Sequence, residues 1–454
     1  MSHRARYLWM IWLMMSGLCV PRAQAAEPDR TPKIVPQTRP EMKTLLERLK
    51  QRTPRLPLPE LVPETGTGDL RSTVNNGRMR NLYLPTEWQS TSSTNRNRTA
   101  PNAQGNTASR TPSYANNEPG MTLDYAFKTR LFWLVSRLNN CQYCLGHQEH
   151  KLHTAGMDDD SIAALDSDWS VFPPAEQAAF EFTRRLTSFP HEFADADINA
   201  LRPHFNETQI VELVQTVAGY NSTNRWTDSL GIPQDNGFGD RKVELDTPTS
   251  EKYQKRPSIV FPKAEKPRGE WEPREAVLAA FEVARNREPR VNLLSDAAAR
   301  EALKLSNDAP LPTWQQAQAY FPQSAQRQGE HRKAVAEFGR ISPRTKARIM
   351  WTVARENRAW YSAQLARATC HKLGLTDDEL LTPAEMSGAI SAGDQAVIAF
   401  ARKLTSKPRQ ITDADMFDLL KHFSAAETAE VVYVVCLSNS FDRFTEALGL
   451  KIEI

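Results

Sequence analysis

Apolar residues recur every three or four positions through 127–138 and 345–353, with few Gly or Pro inside, and this spacing predicts helices. Pro174 opens another periodic run with Glu176 in its first turn, where the helix dipole favours an acid. Asp195-Ala-Asp197 and Asn206-Glu-Thr-Gln209 read as N-caps ahead of further runs, and Leu230-Gly231 and Leu448-Gly449 as helix stops. Alternating strand patterns bounded by turn pairs are absent from the sequence. The pattern predicts an all-α chain.

The same pattern occurs twice. At an offset of 218, residues 128–231 align without a gap on 346–449, with 34 identities in 104 positions. Arg184-Arg-Leu-Thr-Ser188 meets Arg402-Lys-Leu-Thr-Ser406, and His204-Phe205 meets His422-Phe423. Upstream the match resumes at an offset of 235, where Arg52 and Pro54-Arg55 meet Arg287 and Pro289-Arg290. The difference, 235 − 218, leaves 17 extra residues in the first copy, placed in the Ser/Thr/Asn/Pro-rich stretch 90–120. The organisation expected is a flexible segment 26–39, a first helical domain 40–240 with a disordered insertion 90–120, a Pro-rich linker 241–269, and a second helical domain 270–454.

Composition narrows the function classes. The 57 Lys and Arg nearly balance the 54 Asp and Glu, which gives no support to a nucleic-acid role or a polybasic membrane role. The start of the chain reads as a signal peptide, 1–25: Arg4 and Arg6, an apolar run from 7 to 20, then Ala23-Gln24-Ala25 as a small-x-small cleavage site. That run is short for a span and no later apolar stretch is long enough, so no stable membrane span is expected. The protein is then secreted or periplasmic. Cys19 leaves with the signal, and Cys141, Cys144, Cys370 and Cys436 remain.

The chemistry concentrates in Cys141-Gln142-Tyr143-Cys144. Asn139-Asn140 interrupts the preceding helix and can cap a new one, putting both cysteines in its first turn. A spacing of three sets the sulfurs on one face, close enough to bridge, and the helix N-terminus favours thiolate. A c-type haem would need His where Leu145 stands. Zinc held by Cys141, Cys144, His147 and His150 fails geometrically, since steps of three drift about 60° each around one helix. Two readings stay open: a redox dithiol, and a structural disulfide that export would permit although so short a loop gains little from closure. Neither requires a cofactor or a metal.

The run Arg137-Leu-Asn-Asn-Cys141-Gln-Tyr-Cys144-Leu-Gly-His147-Gln148-Glu-His150, with Ala155-Gly156-Met157 after it, resembles the carboxymuconolactone decarboxylase-like superfamily, in particular its alkyl hydroperoxidase D branch. Asn224-Arg225-Trp226-Thr-Asp228-Ser-Leu230-Gly231 resembles that group's Asn-Arg-x-x-Asp-x-Leu-Gly segment. The resemblance covers about 121–235 and, more weakly, 339–454. It implies two tandem all-α domains forming a pseudo-dimer, assembly into homo-oligomers, and thiol-dependent reduction of a peroxide at the expense of an unidentified thiol reductant. By it Cys144 is the attacking thiolate and Cys141 the resolving thiol, the two forming a reversible disulfide.

Two positions depart from the family pattern. Gln148 stands at the family's His and Thr129 at its Glu, so the proton relay is incomplete as matched. His147, three residues after Cys144, is the substitute base by helix spacing. In the second copy Cys141 becomes Ala359, Cys144 becomes Ser362 and His147 becomes Leu365, so redox chemistry is absent there. Cys370 and Cys436 fall at apolar helical positions and read as small buried hydrophobes, their mutual pairing left open. Expected overall is an exported thiol peroxidase with one active domain; a non-catalytic helical scaffold or binding protein retaining the cysteine pair is the alternative.

Overall fold

The computed structural model describes residues 28–59, 74–90, 118–235, 237–238, 241–242, 248–262, 268–306, 310–381 and 390–453. The expected signal peptide and most of the expected insertion lie outside these residues. The chain is helical. The first half contains α1 (Arg39–Leu49), α2 (Asn75–Tyr83), α3 (Thr86–Ser90), α4 (Tyr125–Leu138), α5 (Gln142–Thr154), α6 (Asp159–Ser167), α7 (Pro174–Ser188), α8 (Asp195–Asn199) and α9 (Glu207–Ser229). A short α10 (Glu251–Gln254) follows, then α11 (Arg274–Asn286), α12 (Asp296–Leu303), α13 (Thr313–Gln318) and α14 (Pro322–Glu337). The second half closes with α15 (Pro343–Asn357), α16 (Trp360–Lys372), α17 (Asp377–Leu381), α18 (Ala392–Ser406), α19 (Asp413–Leu420) and α20 (Ala425–Ala447). One feature breaks the all-helical expectation: Gly237–Phe238 pairs antiparallel with Arg241–Lys242, a hairpin too short for period-two alternation to reveal.

Seven starts repeat at the offset read from sequence. Helices beginning at 125, 142, 159, 174, 195 and 207, and a 3₁₀ turn at 190, recur at 343, 360, 377, 392, 413, 425 and 408, each 218 residues on. The caps follow the sequence logic. Pro174 is the first residue of α7, and Asn206 caps α9 by accepting from the Gln209 N–H at 2.9 Å. Gly231 and Gly449 take φ of 66° and 61°, where a side chain would be strained, and so end α9 and α20. Asp195, read as a cap, is instead the first helical residue; Asp197 reaches back to the Ala194 N–H at 2.8 Å.

The core runs along α9 and α20, which pack against each other between the copies. Ile210, Val214 and Val217 from one and Val431, Val432 and Val435 from the other are fully buried. Contacts between the copies are reciprocal. Arg225 Nη2 donates to Thr405 O at 3.0 Å and Arg443 Nη2 to Thr187 O at 3.3 Å, and positions 187 and 405 are equivalent. Arg55 Nε meets Asp413 at 2.6 Å as Arg290 Nε meets Asp195 at 2.6 Å. Such pairwise exchange is what an isologous interface produces.

Two segments expected to be loose are docked. Pro36 O accepts from Arg137 at 2.6 Å and Ile34 O from Asn140 at 3.2 Å, so the strip before α1 satisfies buried donors of the first copy. In the Pro-rich segment, the Ser258 and Ile259 N–H groups donate to Gln37 O at 2.9 Å and Asp166 O at 2.7 Å. Arg268, at its far end, donates to Glu356 O at 3.0 Å in the second copy. Among the described residues no helix is long and apolar enough to cross a membrane.

Candidate functional site: a buried dithiol on one threonine

The turn between α4 and α5 places the cysteines. Asn140 adopts φ 50°, its N–H bonds Arg137 O at 3.1 Å, and the Cys141 N–H bonds Ser136 O at 2.8 Å. This double bond pattern is a Schellman ending of α4. Cys141 is at once its last member and the N-cap of α5, a role the sequence had suggested for Asn139-Asn140. Cys144 then falls at the third residue of α5, inside the first turn. Arg358 repeats the left-handed step with φ 51° in the second copy, so the turn belongs to the fold rather than to the chemistry.

Both thiols converge on one hydroxyl. Thr227 Oγ1, on α9, lies 3.1 Å from Cys141 Sγ and 3.2 Å from Cys144 Sγ. The same hydroxyl is 3.0 Å from Thr223 O, to which it donates when it accepts from a thiol. A thiolate would turn that O–H toward itself, by rotation about one bond, to accept its hydrogen bond. The expected disulfide is not formed: all four described cysteines are free and buried.

The two thiols differ electrostatically. Burial pushes Cys141 well above the usual thiol value, and its hydrogen bond to Cys144 and the nearby Asp228 carboxylate push the same way. Burial acts on Cys144 too, but hydrogen bonds from Cys141, Thr227 and Asn224 to its sulfur outweigh it and bring the thiol below the usual value. Cys144 is therefore the thiol that ionises first. Asp228 does not stand as a bare anion, because Lys33 pairs with it and Arg52 lies 3.5 Å away. Lys151, two turns after Cys144, is brought down to about 8 by burial, against the opposing pull of a Cys144 charge.

His147 is turned to other partners. Its Nε2 lies 2.9 Å from Asp235 Oδ2, and its Nδ1 lies 2.8 Å from Tyr143 O and 3.1 Å from Gln234 Nε2. Tyr143 donates its hydroxyl to the same Asp235 oxygen at 2.7 Å. The base expected three residues after Cys144 is thus held in a His147–Asp235–Tyr143 cluster against the 232–235 segment. Gly146 makes this possible, since a Cβ there would come within 2.8 Å of the Gln234 side chain. Glu149 forms a buried two-point ion pair with Arg39 at 2.6 and 3.0 Å. At the family's other positions, Thr129 bonds its own helix at Tyr125 O, 2.8 Å, and Gln148 Oε1 lies 3.5 Å from Lys151 Nζ.

The second copy keeps the scaffold of the site without its sulfur. Ser362 Oγ lies 3.0 Å from Thr445 Oγ1, and Tyr361 donates to Glu453 at 3.0 Å as Tyr143 does to Asp235. Asp442 replaces Asn224, and burial raises its carboxyl to about 7. Cys370 and Cys436 are both buried and both pushed up to about 12 by desolvation, which makes them inert packing residues. They sit in separate parts of the core.

Sequence reasoning missed Thr227, Asn224 and Asp235 as partners of the cysteine helix. The Asn224-Arg-x-x-Asp228 segment was the available signal for the first two, because it repeats in the second copy as Asp442-Arg-x-x-Glu446 around an unchanged Thr. No protein-family model matches the chain. A stretch of 101 residues, 21% of the chain, is 28% identical to 68% of the uncharacterized protein YdfG of Bacillus subtilis (strain 168).

Proposed function

We propose that the protein is an exported thiol-dependent oxidoreductase of the alkyl hydroperoxidase D-like type, reducing a peroxide at the Cys141/Cys144 pair. The observation that carries this reading is the division of labour at Thr227: two free thiols share one hydroxyl, one pushed above the usual thiol value and the other brought below it. The Cys144 thiolate attacks the outer peroxide oxygen; the O–O bond breaks, the alkoxide takes a proton, and Cys144 becomes a sulfenic acid. Cys141 sulfur then displaces the hydroxyl, the S–S bond forms, and water leaves with the Cys141 proton. An external dithiol reduces the pair and restores both thiols. The twofold helical repeat and the resemblance of both copies to one family support a tandem pseudo-dimer in which the second copy is a structural partner. His147, held by Asp235, fixes α5 against the 232–235 segment.

One observation favours a second reading. Cys141 is 0% and Cys144 3% exposed, so a peroxide needs local opening to reach sulfur. A helical scaffold that retains buried thiols fits that closure equally well. The test is consumption of tert-butyl hydroperoxide with dithiothreitol as donor, on the chain beginning at residue 26. Turnover by the wild type that Cys144→Ser abolishes supports the oxidoreductase; no wild-type turnover together with an unshifted Cys144 titration selects the scaffold.

A further inference from the structure

A cavity of about 850 Å³ opens between α9 and α20, with α2 and α14 forming its other walls, and the dithiol does not line it. Equivalent positions from both copies face it: Gln215 and Tyr433, Gly219 and Leu437, Ser222 and Ser440, each pair 218 apart. It therefore sits where the two copies meet. Its size is that of a small-molecule site.

The lining is one-sided in charge. Arg80 from α2 and Arg327 and Arg332 from α14 line it, and no Asp or Glu does among the described residues. Burial and the two neighbouring guanidiniums, Arg80 and Arg332, bring His331 down to about 4, so the imidazole is neutral and the arginines are the cations. The arginines are pre-positioned on aromatic faces. Arg332 stacks 3.6 Å above the Phe441 ring centroid, and Arg80 lies 5.4 Å from that of Tyr433. Tyr433 is fixed in turn by His331, 2.8 Å from its hydroxyl. Three buried polar atoms on these walls, Arg80 Nε, Gln215 Oε1 and Gln318 Oε1, have no hydrogen-bond partner among the described residues. Buried polar atoms are paired in native proteins as a rule, so orphans gathered on one cavity point to a ligand.

We propose that this cavity binds an aryl-bearing organic anion, its acid group on Arg327 and Arg332 and its ring against the Tyr433 and Phe441 side. An inorganic ion would leave most of the volume unfilled. A purely apolar ligand would leave the orphaned amides unpaired and bury the Arg327 charge, bonded to the Ser324 hydroxyl at 2.9 Å, where no carboxylate lines the cavity among the described residues. The positive wall sets the sign of the charge, and the aromatic wall selects a flat body.

The experiment uses the full chain and 8-anilinonaphthalene-1-sulfonate, with N-phenyl-1-naphthylamine as the same ring system without charge. Expected is one saturable fluorescence site for the sulfonate, with the neutral probe at least about tenfold weaker. Arg327→Gln and Arg332→Gln each raise the sulfonate Kd about tenfold, while Lys333→Gln, exposed on the same helix, and Cys144→Ser leave it unchanged. Retained thermal unfolding confirms that a variant is folded, and where Arg332→Gln is not, the partly exposed Arg327 decides. Equal binding of the neutral probe, unchanged binding in Arg327→Gln, or no saturable site overturns the proposal. Peroxide turnover is read separately, so failure here leaves the dithiol reading untouched.

Discussion

Ser362 Oγ stands 3.0 Å from Thr445 Oγ1, repeating in the second copy the 3.2 Å approach of Cys144 Sγ to Thr227 Oγ1. The hydroxyl pair is held by the same helix start, the same left-handed residue before it and the same long helix opposite. What differs is the polar neighbour: Asn224 in one copy, Asp442 in the other. Backbone placement and thiol activation are separable in this fold, and the second copy retains the first without the second.

Rebuilding the dithiol in the second copy tests that separation. Ala359→Cys with Ser362→Cys supplies both sulfurs on an equivalent backbone. Asp442 raises a neighbouring thiol by charge repulsion, where Asn224 lowers Cys144 by hydrogen bonding. In a Cys141→Ser/Cys144→Ser background, the thiol introduced by Ser362→Cys is therefore expected to react with iodoacetamide only at higher pH than Cys144 does in the wild type. Reaction with an equal or lower pH midpoint would show that the helix start alone activates the thiol.

Cys141 itself contributes to its partner. Its hydrogen bond is the largest of the effects that lower Cys144. Replacing Cys141 with Ala removes that donor to the thiolate. The alkylation midpoint of Cys144 is expected to rise in Cys141→Ala and to stay near the wild-type value in Cys141→Ser, whose hydroxyl still donates. Mass-resolved alkylation across pH reads both.

The repeat, the helix class and most helix ends were legible because they rest on local rules. Periodic apolar positions, Pro174 at a first turn and glycines at 231 and 449 each act within a few residues of chain. The partners of the cysteines were not legible in the same way. Thr227 lies 83 residues from Cys144 and Asp235 88 from His147, and no spacing rule carries contacts between α5 and the end of α9 or the segment after it. Helix spacing set His147 one turn after Cys144, but spacing does not say which way a side chain turns. A buried carboxylate at Asp235 decided that. The same holds for the strip before α1, whose carbonyls are claimed by Arg137 and Asn140, and for the Pro-rich segment, whose Ser258 and Ile259 N–H groups reach Gln37 O and Asp166 O.

Asp442 makes a stability prediction with a definite sign. Its carboxyl is raised from 3.8 to about 7, chiefly by burial. A raised group contributes its full stabilisation below the unfolded value and loses it as pH climbs through the folded one. Above pH 7 the folded protein therefore carries a buried charge at a cost that the unfolded chain does not bear. Asp442→Asn removes the charge and keeps an acceptor for Asn357, 3.0 Å away. Expected is no change in urea unfolding near pH 4, and a gain that grows to at most about 4 kcal/mol by pH 8, from 1.36 kcal/mol per pH unit. A variant less stable than wild type at pH 8 would place the carboxylate's ion partners above its desolvation.

Arg39 fastens α1 to the helix that carries the cysteines. Its guanidinium, 2% exposed, donates to Glu149 at 2.6 and 3.0 Å and to Asp159 at 2.7 Å. Burial alone would lower the arginine, yet the two carboxylates hold it above its usual value. Arg39→Met fills similar volume but leaves Glu149, itself 0% exposed, as a buried charge with, among the described residues, the Trp133 indole N–H at 3.3 Å as its remaining side-chain donor. Removing one partner of such a pair costs about 3–5 kcal/mol, because the survivor is uncompensated. Asp159 loses less, since Lys43 remains 3.1 Å away. Adding Glu149→Gln to Arg39→Met should then recover part of the loss, a coupling that the summed single variants would not show. Urea unfolding of the two single variants and the double variant measures it. Additive losses would mean that Arg39 acts by packing on α5 and not by neutralising the carboxylate beneath it.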